Sequence, residues 1–257
     1  MQPTLFISHG SPMLALEDSP ARRFLQGLGE QLERPKAVVA VSAHWETDVP
    51  MVNSVERNDT IHDFYGFPQA LFQVQYQAPG SAETANRLGD LLAEAGLRSG
   101  IDARRGLDHG AWVPLSLMWP EADIPVVQLS IQSRLGPGHH WQLGRALAAL
   151  RAENVLVMAS GSFTHNLRAL QRLAPGAEPE WVTRFSEWMH EAIMANRTCD
   201  LVSYRRLAPF AVENHPTDEH LLPLFVAMGA AGDGAQAQRL HTSVELGSLR
   251  MDSYLFS

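Results

Sequence analysis

The sequence predicts an α/β fold: a single-domain three-layer sandwich with a mainly parallel or mixed central sheet and helices on both faces. Three observations carry this. Short continuous apolar runs at 4–7, 37–42, 126–131 and 155–159 read as strands covered on both faces, since a strand with one wet face would alternate. Segments with apolar residues at helical spacing separate these runs, the pattern of a sheet whose connections pack back over it. No internal repeat, low-complexity tract or linker-like shift in composition divides the 257 residues, a length that one large core accommodates.

The elements follow in chain order. The run at 4–7 ends in a tight loop, Ser8-His9-Gly10-Ser11-Pro12. Phe24, Leu25, Leu28 and Leu32 place a helix over 20–32. The strand at 37–42 ends at His44-Trp45, and 51–55 reads as a short strand. Residues 58–79 are irregular and aromatic, and so long a loop within a compact domain is usually functional. Ser81 caps an amphipathic helix over 81–95 that Gly96 closes. A polar stretch then leads through Asp108-His109-Gly110 into a short buried helix at 111–118. Helices are expected at 140–151, with His139 and His140 solvated at its start, at 179–196 and at 217–228. Residues 238–257 supply one or two closing strands.

Composition narrows the function. A formal charge of −8 without a Lys/Arg-rich run argues against nucleic acid and anionic membranes as partners. No stretch approaches the roughly 18 apolar residues of a membrane span. The chain opens directly into a strand without a basic flank, so no signal peptide is expected, and a cytoplasmic enzyme is the default class. One cysteine, Cys199, excludes an intrachain disulfide and disfavours a thiolate metal site. Eleven histidines are the unusual feature.

Their placement suggests chemistry. His9, His44 and His165 each follow an apolar strand closely, and sites of α/β sheets form where strands give out at their carboxyl ends. His215 and His220 are five apart, about 140° on a continuous helix, so both cannot face one ion. Pro216 favours the first turn of a helix, which puts His215 before the helix and His220 within it. We therefore expect His9, His44 and His220 to hold one metal ion. Imidazoles without thiolates suit Fe, Zn, Cu or Ni. In the 58–79 loop, Tyr65 and Phe67 are candidate walls of a substrate pocket, and His62 a candidate lining residue. His109 and His165 sit in glycine-flanked loops, which favours function.

Six segments carry a resemblance to a known family, in family order and over nearly the full length. They are Ser8-His9-Gly10-Ser11-Pro12, Ser42-Ala43-His44-Trp45, Asp63-Phe64-Tyr65-Gly66-Phe67-Pro68, Asp108-His109-Gly110-Ala111-Trp112, Gly161-Ser162-Phe163-Thr164-His165-Asn166, and His215-Pro216 through His220 to Pro223-Leu224. The chain resembles the class III extradiol ring-cleavage dioxygenases, the protocatechuate 4,5-dioxygenase β-subunit superfamily, in its 4,5-DOPA dioxygenase-like branch. The resemblance implies a non-haem Fe(II) enzyme that opens a catechol next to its two hydroxyls with O2. It implies His9, His44 and His220 as ligands, His220 replacing a glutamate of the protocatechuate branch. It further implies His165 as the acid/base, His109 and His215 as hydrogen-bonding groups at the substrate, and Tyr65 and Phe67 against its ring. An all-histidine site also suits Zn(II), an occupant to expect in purified protein, and a zinc-dependent hydrolase built on the same histidines is the alternative function. A monomer or homodimer acting on a small molecule is expected.

Overall fold

The computed structural model describes residues 1–174 and 176–257. Its strands are β1 (Thr4–Ser8), β2 (Ala37–Glu46), β3 (Met51–Asn53), β4 (Gly100–Asp102), β5 (Val126–Ile131), β6 (Val155–Gly161), β7 (Ala237–His241), β8 (Val244–Glu245), β9 (Leu249–Arg250) and β10 (Ser253–Phe256). Its helices are α1 (Pro20–Gln31), α2 (Gln69–Phe72), α3 (Ala82–Glu94), α4 (His109–Met118), α5 (Gly136–Ala146), α6 (Glu180–Met194), α7 (Thr198–Val202), α8 (Tyr204–Leu207), α9 (Ala211–Asn214) and α10 (Leu222–Ala231).

Eight strands form one mixed sheet in the order β4-β3-β5-β2-β6-β1-β10-β7, and β8 and β9 form a separate hairpin. The centre, β5-β2-β6-β1, is parallel, and β10 closes it antiparallel to β1. The four predicted apolar runs are these four central strands. They are apolar throughout because both faces are covered. Phe6, Val39, Val41 and Val157 pack with residues of α3, α5, α6 and α10, while Leu5, Ile7, Val38, Ala40 and Met158 pack with α1 and α4. Successive side chains of a strand alternate faces, so each run feeds two cores. Each fully buried side chain of this size contributes about 1.5–3 kcal/mol. The expected three-layer α/β sandwich is the observed architecture.

Three sequence expectations need correction. β2 runs to Glu46, so His44 lies inside the strand rather than beyond it. The register against β5 shifts between Val41 and Glu46, and such a bulge re-aims the side chains it contains. The helix expected at 217–228 begins only at Leu222, with Pro223 in its first turn. Asp218 forms the turn before it: its carbonyl accepts from Leu221 N at 2.9 Å, and its carboxylate is held by the Tyr204 hydroxyl at 2.9 Å and by Arg205. His220 therefore sits in a turn, not on the helix. His140 is buried rather than solvated; its Nε2 accepts from Gln132 N at 3.1 Å, and its Nδ1 donates to Gly136 O at 2.7 Å. No helix among the described residues is long and apolar enough to cross a membrane.

Candidate metal centre

β6 lies between β1 and β2, and its end is where the histidines meet. His9 directly follows β1, and its N–H donates to Gly161 O at 2.9 Å. His44 leaves the bulged end of β2 from the other side. The turn ahead of α10 docks on the tip of β6, where Ser162 N donates to His220 O at 2.8 Å. One ring nitrogen from each of His9, His44 and His220 then falls within 4.8 Å of the others, and the Nε2 atoms of His9 and His44 are 3.0 Å apart.

The hydrogen bonds fix which nitrogens are free. Ser160 Oγ donates to the Gly110 carbonyl, so it can only accept, at 2.9 Å, from His9 Nδ1. The Glu219 carboxylate accepts from His220 Nδ1 at 2.9 Å. Both rings thus carry their proton on Nδ1 and present a bare Nε2. Burial, and then the neighbouring imidazoles, push His9 and His220 well below the ordinary histidine value, and burial lowers His44 to about 4. Neutral imidazoles with an oriented Nδ1–H are the state in which histidine binds a metal. Two nitrogens bound at right angles to one ion, each at about 2.1 Å, stand about 3.0 Å apart, so the residues present fit a first-row divalent metal.

Two further histidines face the same space. His165 stacks on His220, ring centroids 3.4 Å apart and planes 10° off parallel, with Nδ1 4.0 Å from the Glu219 carboxylate. Burial lowers it to about 4, although Glu219 opposes the shift. His109 opens α4, and Asp63 Oδ1 accepts both its backbone N–H and its Nδ1–H at 3.0 Å, leaving Nε2 as an acceptor. Burial would raise Asp63, but these bonds outweigh it and hold the carboxyl at about 2. Asp108, fully buried, joins β2 to the start of α4 by accepting from Ser42 Oγ at 2.6 Å and from Arg105 at 3.1 Å.

The five histidines form the polar end of a cleft of about 550 Å³, whose walls include Phe64, Tyr65, Phe67, Leu167, Leu170 and Leu246. Tyr65 is 92% exposed and stands at the rim. Two expected site residues are elsewhere. His62 lies behind the wall, its Nε2 donating to Val74 O at 3.0 Å and its ring packed on Phe64 and Trp112. His215 is wholly buried, packs on Phe185 and Tyr204, and donates from Nε2 to Phe163 O at 3.0 Å. It supports the segment that carries His165 and does not line the cleft. Conversely, sequence reasoning overlooked Asp63, Ser160 and Glu219, the groups that orient the rings. Only Glu219 left a local signal, by adjoining His220.

The chain is similar to known proteins over almost its whole length. The family described as the catalytic LigB subunit of aromatic ring-opening dioxygenase matches residues 3–250. A Beta vulgaris protein named 4,5-DOPA dioxygenase extradiol is 49% identical over 99% of this chain and 96% of its own length. An Escherichia coli K12 protein of the same name is 44% identical over 97% of this chain and 92% of its own. The crystal structure of an uncharacterized Escherichia coli K12 protein superposes with a TM-score of 0.84 at 37% identity, covering all of both chains. With the histidine cluster at the strand ends and a match over almost its whole length, the chain belongs to the LigB family of aromatic ring-opening dioxygenases.

Proposed function

We propose that this chain is an extradiol dioxygenase that opens a catechol, DOPA-like or another aromatic diol, next to its two hydroxyls with O2, at Fe(II) held by His9, His44 and His220. The observation that carries the reading is the approach of the His9 and His44 Nε2 atoms to 3.0 Å, with His220 beside them and Nδ1 of His9 and His220 tied to Ser160 and Glu219. The names of the relatives support a catechol as substrate.

Bound Fe(II) supplies redox chemistry toward O2 and acidifies a coordinated hydroxyl, whereas Zn(II) has no redox chemistry. The protein's own groups do the rest. His165 is neutral at pH 7 and, with Nδ1 toward Glu219, has Nε2 to take a proton from a catechol hydroxyl and return it later. A cation on His165 would lie against the His220 ring, which favours its giving the proton back. His109, held by Asp63, offers Nε2 as a fixed acceptor to the second hydroxyl. Phe64 and Phe67 flank the ring and exclude water.

The test is anaerobic reconstitution with Fe(II), then L-DOPA or simpler catechols in air. O2 uptake and a coloured muconic semialdehyde are expected, with none from the Zn(II) form. No uptake and no colour from any catechol would sink the reading. His165→Ala should retain metal and lose turnover; loss of metal would make His165 a ligand instead.

A further inference from the structure

Of the three histidines proposed as ligands, His44 is the one whose Nδ1 has no hydrogen-bond partner among the described residues. His9 and His220 are tied there to Ser160 and Glu219, each at 2.9 Å. The Asp63 carboxylate stays 3.7 Å from His44 Nδ1, beyond hydrogen-bond reach, and its bonds go to His109. The sheet does not hold His44 either. The pairing of β2 with β6 ends at Ser42, and its pairing with β5 is interrupted between Val41 and Glu46. A ligand keeps its geometry only where its surroundings lock it.

The lock on His44 is a clamp on its main chain. His44 N donates to Ser42 Oγ at 3.1 Å, and His44 O accepts from Arg105 Nη2 at 3.4 Å. Both arms converge on Asp108. Ser42 Oγ donates to its Oδ1 at 2.6 Å, and the same Arg105 Nη2 donates to its Oδ2 at 3.1 Å. Arg105 is fixed in turn. Its guanidinium lies over the Trp45 ring at 5.0 Å, its backbone N donates to Asp102 Oδ1 at 3.0 Å, and its carbonyl accepts from Asn53 Nδ2 at 3.0 Å. The short edge strands β3 and β4 thus reach the histidine cluster through Arg105. Asp108 is fully buried and Arg105 mostly so. Well-packed apolar side chains often stabilise a fold as well as a buried ion pair does, so stability alone does not account for this one.

We propose that Arg105 and Asp108 are positioning residues for the metal centre, fixing the main chain of His44 so that its ring meets those of His9 and His220. The proposal rests on the reading of His44 as a ligand, and not on the identity of the metal or the substrate.

The experiment binds Co(II), whose visible bands follow the arrangement of its ligands, to wild type, Arg105→Met, Arg105→Met/Asp108→Asn and His44→Ala. It reads Co(II) Kd by chelator competition, the visible spectrum, and the urea midpoint of the metal-free protein. Arg105→Met strands the Asp108 charge, so the midpoint should drop, the Co(II) spectrum change and the affinity fall about 10–100-fold. The double variant strands no buried charge. It should regain most of the midpoint while keeping the weakened affinity and altered spectrum. Affinity that returns with stability, or that stays at the wild-type level in both variants, would overturn the proposal, because a merely structural pair behaves in that way. If Arg105→Met fails to fold, the double variant against wild type decides by the same readouts. His44→Ala should abolish tight binding. Unchanged binding there would overturn the ligand reading and the proposal with it, whereas loss there beside wild-type affinity in the clamp variants would overturn the proposal alone.

Discussion

Gly110→Ala should damage the proposed metal centre although it replaces none of the three histidines. Gly110 is the second residue of α4, and it brings that helix against the ends of β1 and β2. A Cβ at this position would lie 2.4 Å from Ser42 Oγ, 3.0 Å from His44 Cδ2 and 3.2 Å from His9 Cε1. An ordinary contact begins near 3.4 Å, so Ser42 Oγ must retreat by about 1 Å and the His44 ring by about 0.4 Å. Ser42 Oγ has little freedom, since it donates to Asp108 Oδ1 at 2.6 Å and accepts from His44 N at 3.1 Å. Both crowded ring carbons adjoin Nε2, so the displacement reaches the donor atoms directly. Overpacking of this kind costs about 1–3 kcal/mol of stability. Misplaced donors should weaken metal binding about 10–100-fold, the range found when groups that orient ligands are lost. Chelator competition reads the affinity, and urea unfolding of the metal-free protein reads the stability. Unchanged values for both would refute the claim that these rings are held rigidly against α4.

Two further outcomes follow from the same geometry. Glu219→Gln keeps an acceptor on His220 Nδ1 but removes its charge, so metal affinity should fall about 10-fold with little loss of fold; unchanged affinity would show that Glu219 does not tune His220. The metal-free protein should also be acid-labile. Burial holds His140 at about 4 and His215 at about 3, against about 6.5 in an unfolded chain. Between these values the unfolded state binds more protons, so this stability is fully present above about pH 6.5 and is lost as pH falls toward 4. Urea midpoints should drop between about pH 7 and pH 5, and a flat profile would contradict the burial of neutral imidazoles.

The parallel strands were legible because burial on both faces leaves an unbroken apolar run, and a strand end gives a direction. That was enough to bring His9 and His44 to the carboxyl ends of the central strands. β4, β8 and β9 were not legible, being two or three residues long and defined only by the partners they pair with. The stretch from His215 to Pro223 misled for a sharper reason. Pro216 and Pro223 both open helix-like patterns, and the sequence does not say which one the fold uses. The contacts of Asp218 with Tyr204 and Arg205 decide it, and they come from α8. Asp63 was equally hidden, since it acts on His109 across 46 positions of sequence. Histidines announce themselves by type and place, whereas the groups that orient them are chosen by tertiary contact.

The electrostatics of the cluster tie binding to folding. His9, His44, His165 and His220 are packed closely enough that each lowers or shares the lowered proton affinity of its neighbours, and burial does most of the work. Crowding of nitrogens that carry lone pairs, with Nε2 of His9 and His44 3.0 Å apart, is a cost that the folded chain bears whenever no cation is bound. A divalent ion relieves that cost in the folded state, while the unfolded chain offers no assembled site. Metal at 100 times its Kd should therefore stabilise the fold by about 2.7 kcal/mol, and protons should oppose it by competing for the same nitrogens. The buried neutral imidazoles that make the cluster a good ligand set thus also make the metal-free protein the more fragile one.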